Sequence, residues 1–379
     1  MRSTARWLVP IAVVATIVGG TTASSAMAGD TPTLPERTPE QVLAAVAGSR
    51  VSTLSGSIRT HADLGLPALP TVTGSPHGSG DDQQSPQSLF TRFLAGDNTI
   101  RVWVDGPLRQ RAQLIDPWAE LNVVRNGSQL WTYDSRSNTA LHGTVAAGTE
   151  DGAPHSSGPV PHPSTGTGTD PRTMTPDQLA RHMLDTLDPT TKVDLAAPAT
   201  VAGRDSYTLR ITPRTTGTLV DRVLIAVDAG NGVPLQVTVF ARGHAEAALQ
   251  SGFTSVDFSR PAASRFEFAP PKSATVKPLP GADQLKHPDG SENGTKKSDA
   301  GRPTVIGEGW TTIVRTPAGA TDGWASDPKT ADMVRQLTTA VPGGRAVRTA
   351  LFTVLFTDDG RVLAGAVPLQ ALQDAAARG

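Results

Sequence analysis

Histidine, serine and paired acidic residues are where chemistry would reside in this chain, and their spacing argues against each familiar kind. The eight histidines, His61, His77, His142, His155, His162, His182, His244 and His287, include no pair spaced to ligate a metal. There is no cysteine, which removes thiolate metal sites, a thiol nucleophile, disulfides and a lipid-bearing cysteine behind a signal segment. The Ser-rich stretches hold no G-x-S-x-G elbow that would expose a nucleophile. Asp358-Asp359 has the composition of a carboxylate pair, but Gly360 follows it, and Asp and Gly together are what a hairpin turn needs. The reading is a protein with no catalytic residue, metal or cofactor, and so not an enzyme. A hydrolase would require a nucleophile and base converging in a cavity.

Charge removes another class. Lys plus Arg number 34 against 35 for Asp plus Glu, which leaves no basic excess to attract nucleic acid or anionic lipid. At the N-terminus, Arg2 and Arg6 precede an apolar run from Trp7 to Val18, and Ala26-Met27-Ala28 has the A-x-A pattern of a signal-peptidase site. Residues 1–28 are therefore read as a signal peptide cleaved after Ala28, which places the mature chain outside the cytoplasm, secreted or in the cell envelope. The apolar run is shorter than the roughly 20 residues a spanning helix needs.

Three stretches crowded with Gly, Pro, Ser, Thr and Asp organise the rest, at about 66–87, 144–173 and 277–302. The first two read as loops inside one domain over 38–276, and the third as a linker to a small domain over 303–379. Thr38-Pro39-Glu40-Gln41 supplies an N-cap, a first-turn proline and a capping-box glutamine, which predicts a helix with Val42, Leu43 and Val46 on its apolar stripe and Gly48 as its stop. Thr175-Pro176-Asp177-Gln178 repeats the signature, with Leu179, Met183, Leu184 and Leu187 on one face.

Alternating apolar and polar residues predict strands at 53–60, 88–94, 99–104, 108–115, 120–125, 129–133 and 139–143, then at 193–197, 206–212, 219–228, 234–242, 252–259 and 265–268. Asn126-Gly127 predicts a type I′ hairpin, and Asp228 to Gly232 a second hairpin. The last part reads as a β-α-β-β unit: a strand over 304–314, a helix capped by Asp327-Pro328 with Met333, Val334 and Leu337, and strands 351–356 and 362–367 buried on both faces. A long antiparallel sheet with two helices buries its apolar face by curling around them, which predicts a mainly β (α+β) fold: an open half-barrel with a helical lid. Such a shape can enclose an apolar cavity.

Three patches in order resemble the LolA family of lipoprotein carriers and its RseB/MucB relatives. Val102-Trp103-Val104-Asp105-Gly106-Pro107 is similar to the family's strand that ends in Arg and Pro. Asn126-Gly127-Ser128-Gln129-Leu130-Trp131-Thr132-Tyr133-Asp134 is similar to its "DG-x-x-LW-x-Y-[ND]" hairpin, and Phe266-Glu267-Phe268-Ala269-Pro270-Pro271, then Val276, to its closing "F-x-F-x-PP-x-G-x-x-V". The arginine that holds the family's lid is Gly106 here, so a latch does not carry over. The 303–379 segment has no counterpart in the short carriers and no motif match to the second domain of RseB-like proteins.

The resemblance implies an unclosed barrel covered by helices, with inward positions at Leu54, Gly56 and Ile58 on one strand and Gln110, Ala112 and Leu114 on another. Helix residues Leu43, Val46, Leu179, Met183 and Leu187 would form the facing lid. The same residues would equally fill a solid core, although small Ala112 and Gly56 tilt toward a void. Trp103, Trp131 and Tyr133 would border the cavity or serve as ordinary strand packing. Arg109 and Arg111, on the strand face opposite Ala112, would meet a headgroup, a partner's acidic residues or solvent.

Together these features describe an envelope protein that binds the acyl chain of a lipid or lipoprotein, with peripheral membrane contact. Burial gains about 0.8 kcal/mol per methylene, so a chain of about 14 to 16 carbons offers about 12 kcal/mol before the costs of association. The alternative is an RseB/MucB-like regulator of an extracytoplasmic sigma factor pathway that contacts a membrane-bound anti-sigma factor, which the added C-terminal segment favours.

Overall fold

The computed structural model describes residues 32–65, 97–116, 119–144, 190–279, 303–319, 335 and 338–378. The first helix, α1 (Pro39–Ala47), begins as its sequence dictates: the Thr38 hydroxyl accepts from the Gln41 N–H while the Gln41 side chain accepts from the Thr38 N–H. The strand signals at 88–94 and the second capping box with Leu179, Met183 and Leu187 lie outside the described residues.

Among the described residues, twelve strands form one sheet. They are β1 (Thr53–Ala62), β2 (Asn98–Asp105), β3 (Arg109–Asp116), β4 (Ala119–Asn126), β5 (Gln129–Asp134) and β6 (Thr139–Thr144), then β7 (Thr191–Val201), β8 (Arg204–Pro213), β9 (Val220–Asp228), β10 (Pro234–Ala241), β11 (Ala247–Asp257) and β12 (Thr275–Pro278). Their order is β12-β6-β5-β4-β3-β2-β1-β11-β10-β9-β8-β7, so the two end strands are not joined and the sheet is open. Every pairing is antiparallel except β12 on β6. This is the mainly β, unclosed architecture that alternation and the resemblance implied.

Local departures have physical causes. The segment expected as a strand at 265–268 is instead a single 3-10 turn, Ala263–Phe266. Its two phenylalanines alternate as in a strand, but both side chains go to one side of the sheet, Phe266 buried and Phe268 against Trp131 and Tyr133, so the segment packs on the sheet as cover and does not pair as a strand. At β4–β5, Asn126 pairs with Gln129, and the two-residue loop is Gly127–Ser128 with Gly127 at φ +63°. Asn126 does not take a positive φ, so the turn has glycine at its first position, the II′ pattern rather than I′.

The C-terminal part adds a six-stranded sheet, β13 (Thr304–Ile306), β14 (Ile313–Arg315), β15 (Thr339–Val341), β16 (Gly344–Arg348), β17 (Thr353–Thr357) and β18 (Val362–Gly365), and a closing helix α2 (Leu369–Ala377). The expected strand over 304–314 is broken in two by Gly307 and Gly309, both at positive φ. The helix expected near 327–337 lies outside the described residues apart from Arg335. Leu355 and Leu363 pack under Leu372 and Ala375 of α2, while Val354, Phe356 and Ala364, which alternate with them, are only half-buried, so β17 and β18 are buried on one face rather than two. Asp358-Asp359-Gly360 is the turn between β17 and β18, where the Arg361 guanidinium and the Thr357 hydroxyl hold the Asp359 carboxyl down at about 2. The two sheets meet through backbone bonds from Leu219 N–H to Ala366 O (2.8 Å) and from Ala350 N–H to Leu64 O (2.8 Å), and through Trp310 Nε1 donating to Thr191 Oγ1 (2.8 Å).

Candidate functional site

The candidate site is the apolar face of the large sheet, and strand register assigns its members. Phe253, Ile58, Ile100, Leu114 and Leu121 are directly opposite one another across β11, β1, β2, β3 and β4. All five are buried, none more than 9% exposed. Two residues along, Gly56, Val102, Ala112 and Val123 form a second row on the same face. Exposure rises along it from 5% at Val102 to 38% at Val123, so the apolar strip reaches solvent along β4. The predicted inward set Leu54, Ile58, Ala112 and Leu114 is thus brought together on one face, in one packed cluster with Phe253 and Leu235.

The space left by Gly56 is taken. A Cβ built there would stand 3.0 and 3.1 Å from two ring carbons of Phe253, so the ring lies over the glycine and no void opens at that point. Sequence reasoning missed Phe253 because it is far away in the chain. The signal that could have found it is its place on an alternating strand predicted over 252–259.

Helix α1 covers a different part of the sheet. Val42 is fully buried among Tyr207, Leu209 and Val227, with Leu43 and Val46 packed around them, whereas the strand cluster around Ile58 contains no residue of a described helix. Leu43 and Val46 therefore face β7–β9 rather than Ala112 and Leu114. The helix end is seated by the β9–β10 turn. A Cβ at Gly232 (φ +75°) would lie 2.6 Å from the Ala45 carbonyl carbon and 3.2 Å from the Val46 nitrogen. That turn is fixed by Asp228, whose carboxylate accepts from Gly230 N–H (2.8 Å) and Asn231 N–H (2.9 Å) and pairs with Arg204. Burial pushes its pKa up, but the Arg204 hydrogen bond and the two backbone donors outweigh that and hold it below the ordinary value.

Of the five residues expected at a cavity rim, Arg109 and Arg111 lie on the face opposite Ala112, as their spacing predicts, and register puts Trp103, Trp131 and Tyr133 on that same face. Trp103 is opposite Arg111, and Trp131 is opposite Val124, one position out of phase with the apolar rows. On that side the segment after β11 folds back over β2–β6. Phe266 is buried, Phe268 meets Trp131 and Tyr133 with ring centroids 5.8 and 5.9 Å apart, and β12 pairs with β6. Arg111 donates to Asn122 Oδ1 and to Arg265 O (3.1 Å), and Arg109 pairs with buried Asp105 at 2.6 Å. Both arginines are engaged within the fold, and Trp103 is flanked by Arg111 and Arg265 guanidinium groups at 5.8 and 5.6 Å. The three patches that carried the resemblance thus converge here and build the fold.

Among the described residues no group of three or more His, Asp or Glu is placed to hold a metal ion, and no helix is long and apolar enough to cross a membrane.

No family model matches the chain, and no curated protein does. Among solved structures, it is similar to MucB in the MucA/MucB complex of Pseudomonas aeruginosa, at 16% identity and a TM-score of 0.41 over 89% of this chain and 96% of that one. It is also similar to an uncharacterized conserved protein from Thermus thermophilus (9% identity, TM-score 0.33, 63% of this chain and 98% of that one). A LolA superfamily protein from Nitrosomonas europaea aligns at 11% identity and a TM-score of 0.20, over 62% of this chain and 99% of that one.

Proposed function

We propose that this is an exported cell-envelope protein that holds the acyl chain of a lipid or lipoprotein against the apolar face of its open sheet. The observation that carries the reading is the pair of apolar rows across β1–β4, in whose cluster no helix residue among the described residues takes part; the row through Ile58 is buried and the row through Ala112 reaches solvent at Val123. Acyl binding needs an apolar strip with an open side and no reactive group, and each methylene removed from water contributes about 0.8 kcal/mol. The test is native mass spectrometry with lipid extraction on the chain from Gly29 onward, purified from an exporting host. Co-purified acyl lipid that is lost in Ala112→Trp supports the reading. A lipid-free protein that also refuses added acyl ligands refutes it.

A second reading rests on a separate observation, the C-terminal sheet with its own core under α2. A chain carrier needs no such unit, whereas a regulator that contacts a membrane-bound anti-sigma factor would use it as a protein-binding module. Stable capture of one membrane protein, abolished by deleting residues 303–379, would favour this reading over the first.

A further inference from the structure

At one end the apolar face turns polar. One step beyond the Phe253–Ile58–Ile100 row, the same face carries Ser251, Thr60 and Asn98, directly opposite one another on β11, β1 and β2. Ser251 is 3% exposed and Thr60 1%. The Ser251 hydroxyl and the Asn98 side-chain NH2 are both buried, and neither has a hydrogen-bond partner among the described residues. Burying a donor unpaired costs about 1–3 kcal/mol, and two such groups flanking one residue are rare in a folded protein without something to receive them.

We propose that this row is the polar end of the acyl site, where Asn98 Nδ2 and Ser251 Oγ donate to the carbonyl oxygens of an acyl ester. The proposal rests on the acyl-binding reading above and specifies the head of its ligand. Paired residues on neighbouring strands have Cβ atoms about 4.5–5.5 Å apart, so Asn98 and Ser251 stand about 10 Å apart across Thr60. Two donors at that spacing suit the two ester carbonyls of a diacylglyceryl group better than a single carbonyl. The row lies about 7 Å along the strands from Ile58, so the methylenes next to the ester meet the apolar row at once.

The absence of positive charge selects the head group further. Neither this row nor the two apolar rows contains a lysine or arginine. A fatty-acid carboxylate or a phosphate placed there would be stripped of water with no cation in these rows to receive it, whereas a neutral ester needs only the two donors. The row also lies at the end of the sheet where Leu64 bonds to Ala350 of the C-terminal unit, so a head group there would be next to the junction of the two sheets.

The experiment offers the exported full chain, cleared of lipid, an equimolar mixture of 1,2-dioleoylglycerol and its diether analogue, which has the same chains and no carbonyl. Oleate is the third arm. Bound species are counted by native mass spectrometry. The diester should be favoured over the diether at least 5-fold, with oleate weaker than the diester, and the preference should fall to about 1 in Ser251→Ala with Asn98→Ala. Equal binding of diester and diether by the unmodified protein overturns the inference and leaves acyl binding intact. Binding of none of the three overturns the acyl-binding reading itself. A second readout needs no ligand: Ser251→Ala removes an unpaired hydroxyl, so the melting temperature of the lipid-free protein should hold or rise. A fall would show that the hydroxyl already has a partner, and would overturn the assignment.

Discussion

Replacing Gly232 with alanine should loosen α1 from the sheet, and the structure gives the size of the effect. Gly232 has φ +75°, where an L-residue pays about 1–2 kcal/mol. The added methyl would also lie 2.6 Å from the Ala45 carbonyl carbon, which is backbone and cannot rotate away, so the C-terminal turn of the helix must shift. That shift withdraws part of the burial of Val42 and Val46. Full burial of such a side chain is worth about 1.5–3 kcal/mol, and losing roughly half of one adds about 1 kcal/mol. The sum is about 2–3 kcal/mol, or about 4–12 °C in Tm for a domain of this size.

Gly127→Ala separates backbone strain from contact. Gly127 has φ +63°, but no heavy atom lies within 4 Å of its missing Cβ, so only the left-handed cost of about 1–2 kcal/mol applies. Thermal unfolding followed by near-UV circular dichroism, with hydrogen exchange over residues 39–47, reads both variants. Gly232→Ala should fall further than Gly127→Ala and should speed exchange in α1. Equal losses, with α1 exchange unchanged, would refute the seating of the helix on the β9–β10 turn.

Three further outcomes are expected, two from contacts in the structure and one from the sequence. Asp228 is held below its ordinary pKa of 3.8, so the native state binds fewer protons than the unfolded one near that pH. Its stabilisation is present above 3.8 and is lost as pH falls through the folded value. Asp228→Asn should flatten stability against pH below about 4, and an unchanged acid slope would exclude the carboxylate as its source. Asn138, at φ +48°, donates to Ser273 O (2.7 Å) and accepts from Tyr133 Oη–H (3.2 Å), tying the returning segment to the sheet. Asn138→Gly should cost about 1–2 kcal/mol and expose residues 267–278 to protease, with Asn138→Ala worse by the left-handed penalty. If alanine proves as good as glycine there, the positive φ is not present in solution. Finally, the intact mass of exported protein should correspond to a chain beginning at Gly29, and retention of Met1 would rule out cleavage after Ala28.

The sheet was legible because alternation is a local signal. Strands β1 to β6 and β7 to β11 have their sequence-predicted places, shifted only at their ends. The elements that escaped are those whose formation depends on distant partners. β12 is four residues long and pairs in parallel with β6, more than a hundred residues earlier in the chain, so neither its length nor its pairing is written in its own composition. β15 is three residues long. Helix α2 was readable, since Pro368 precedes Leu369, Leu372, Ala375 and Ala376, but three of its nine residues are a terminal alanine run that weakens the apolar stripe.

The site was legible in its parity and not in its contents. Period-two alternation puts Leu54, Ile58, Ala112 and Leu114 on one face without any structure, and the register confirms that they share it. The same arithmetic puts Arg109 and Arg111 on the other face, and Trp103, directly opposite Arg111, goes with them. Large aromatic and arginine side chains attract a binding role in a sequence, yet here they serve the face that the chain itself covers with Phe266 and Phe268. An antiparallel sheet can leave one face to solvent, but here the aromatic face is covered by the chain's own segment after β11. Among the described residues, the other face carries α1 over β7–β9 and an apolar strip over β1–β4, bounded at one end by Ser251 and Asn98. Specific chemistry is therefore to be sought in two small polar residues that drew no notice in the sequence, since serine and asparagine are ordinary on a strand until register shows them buried and facing inward.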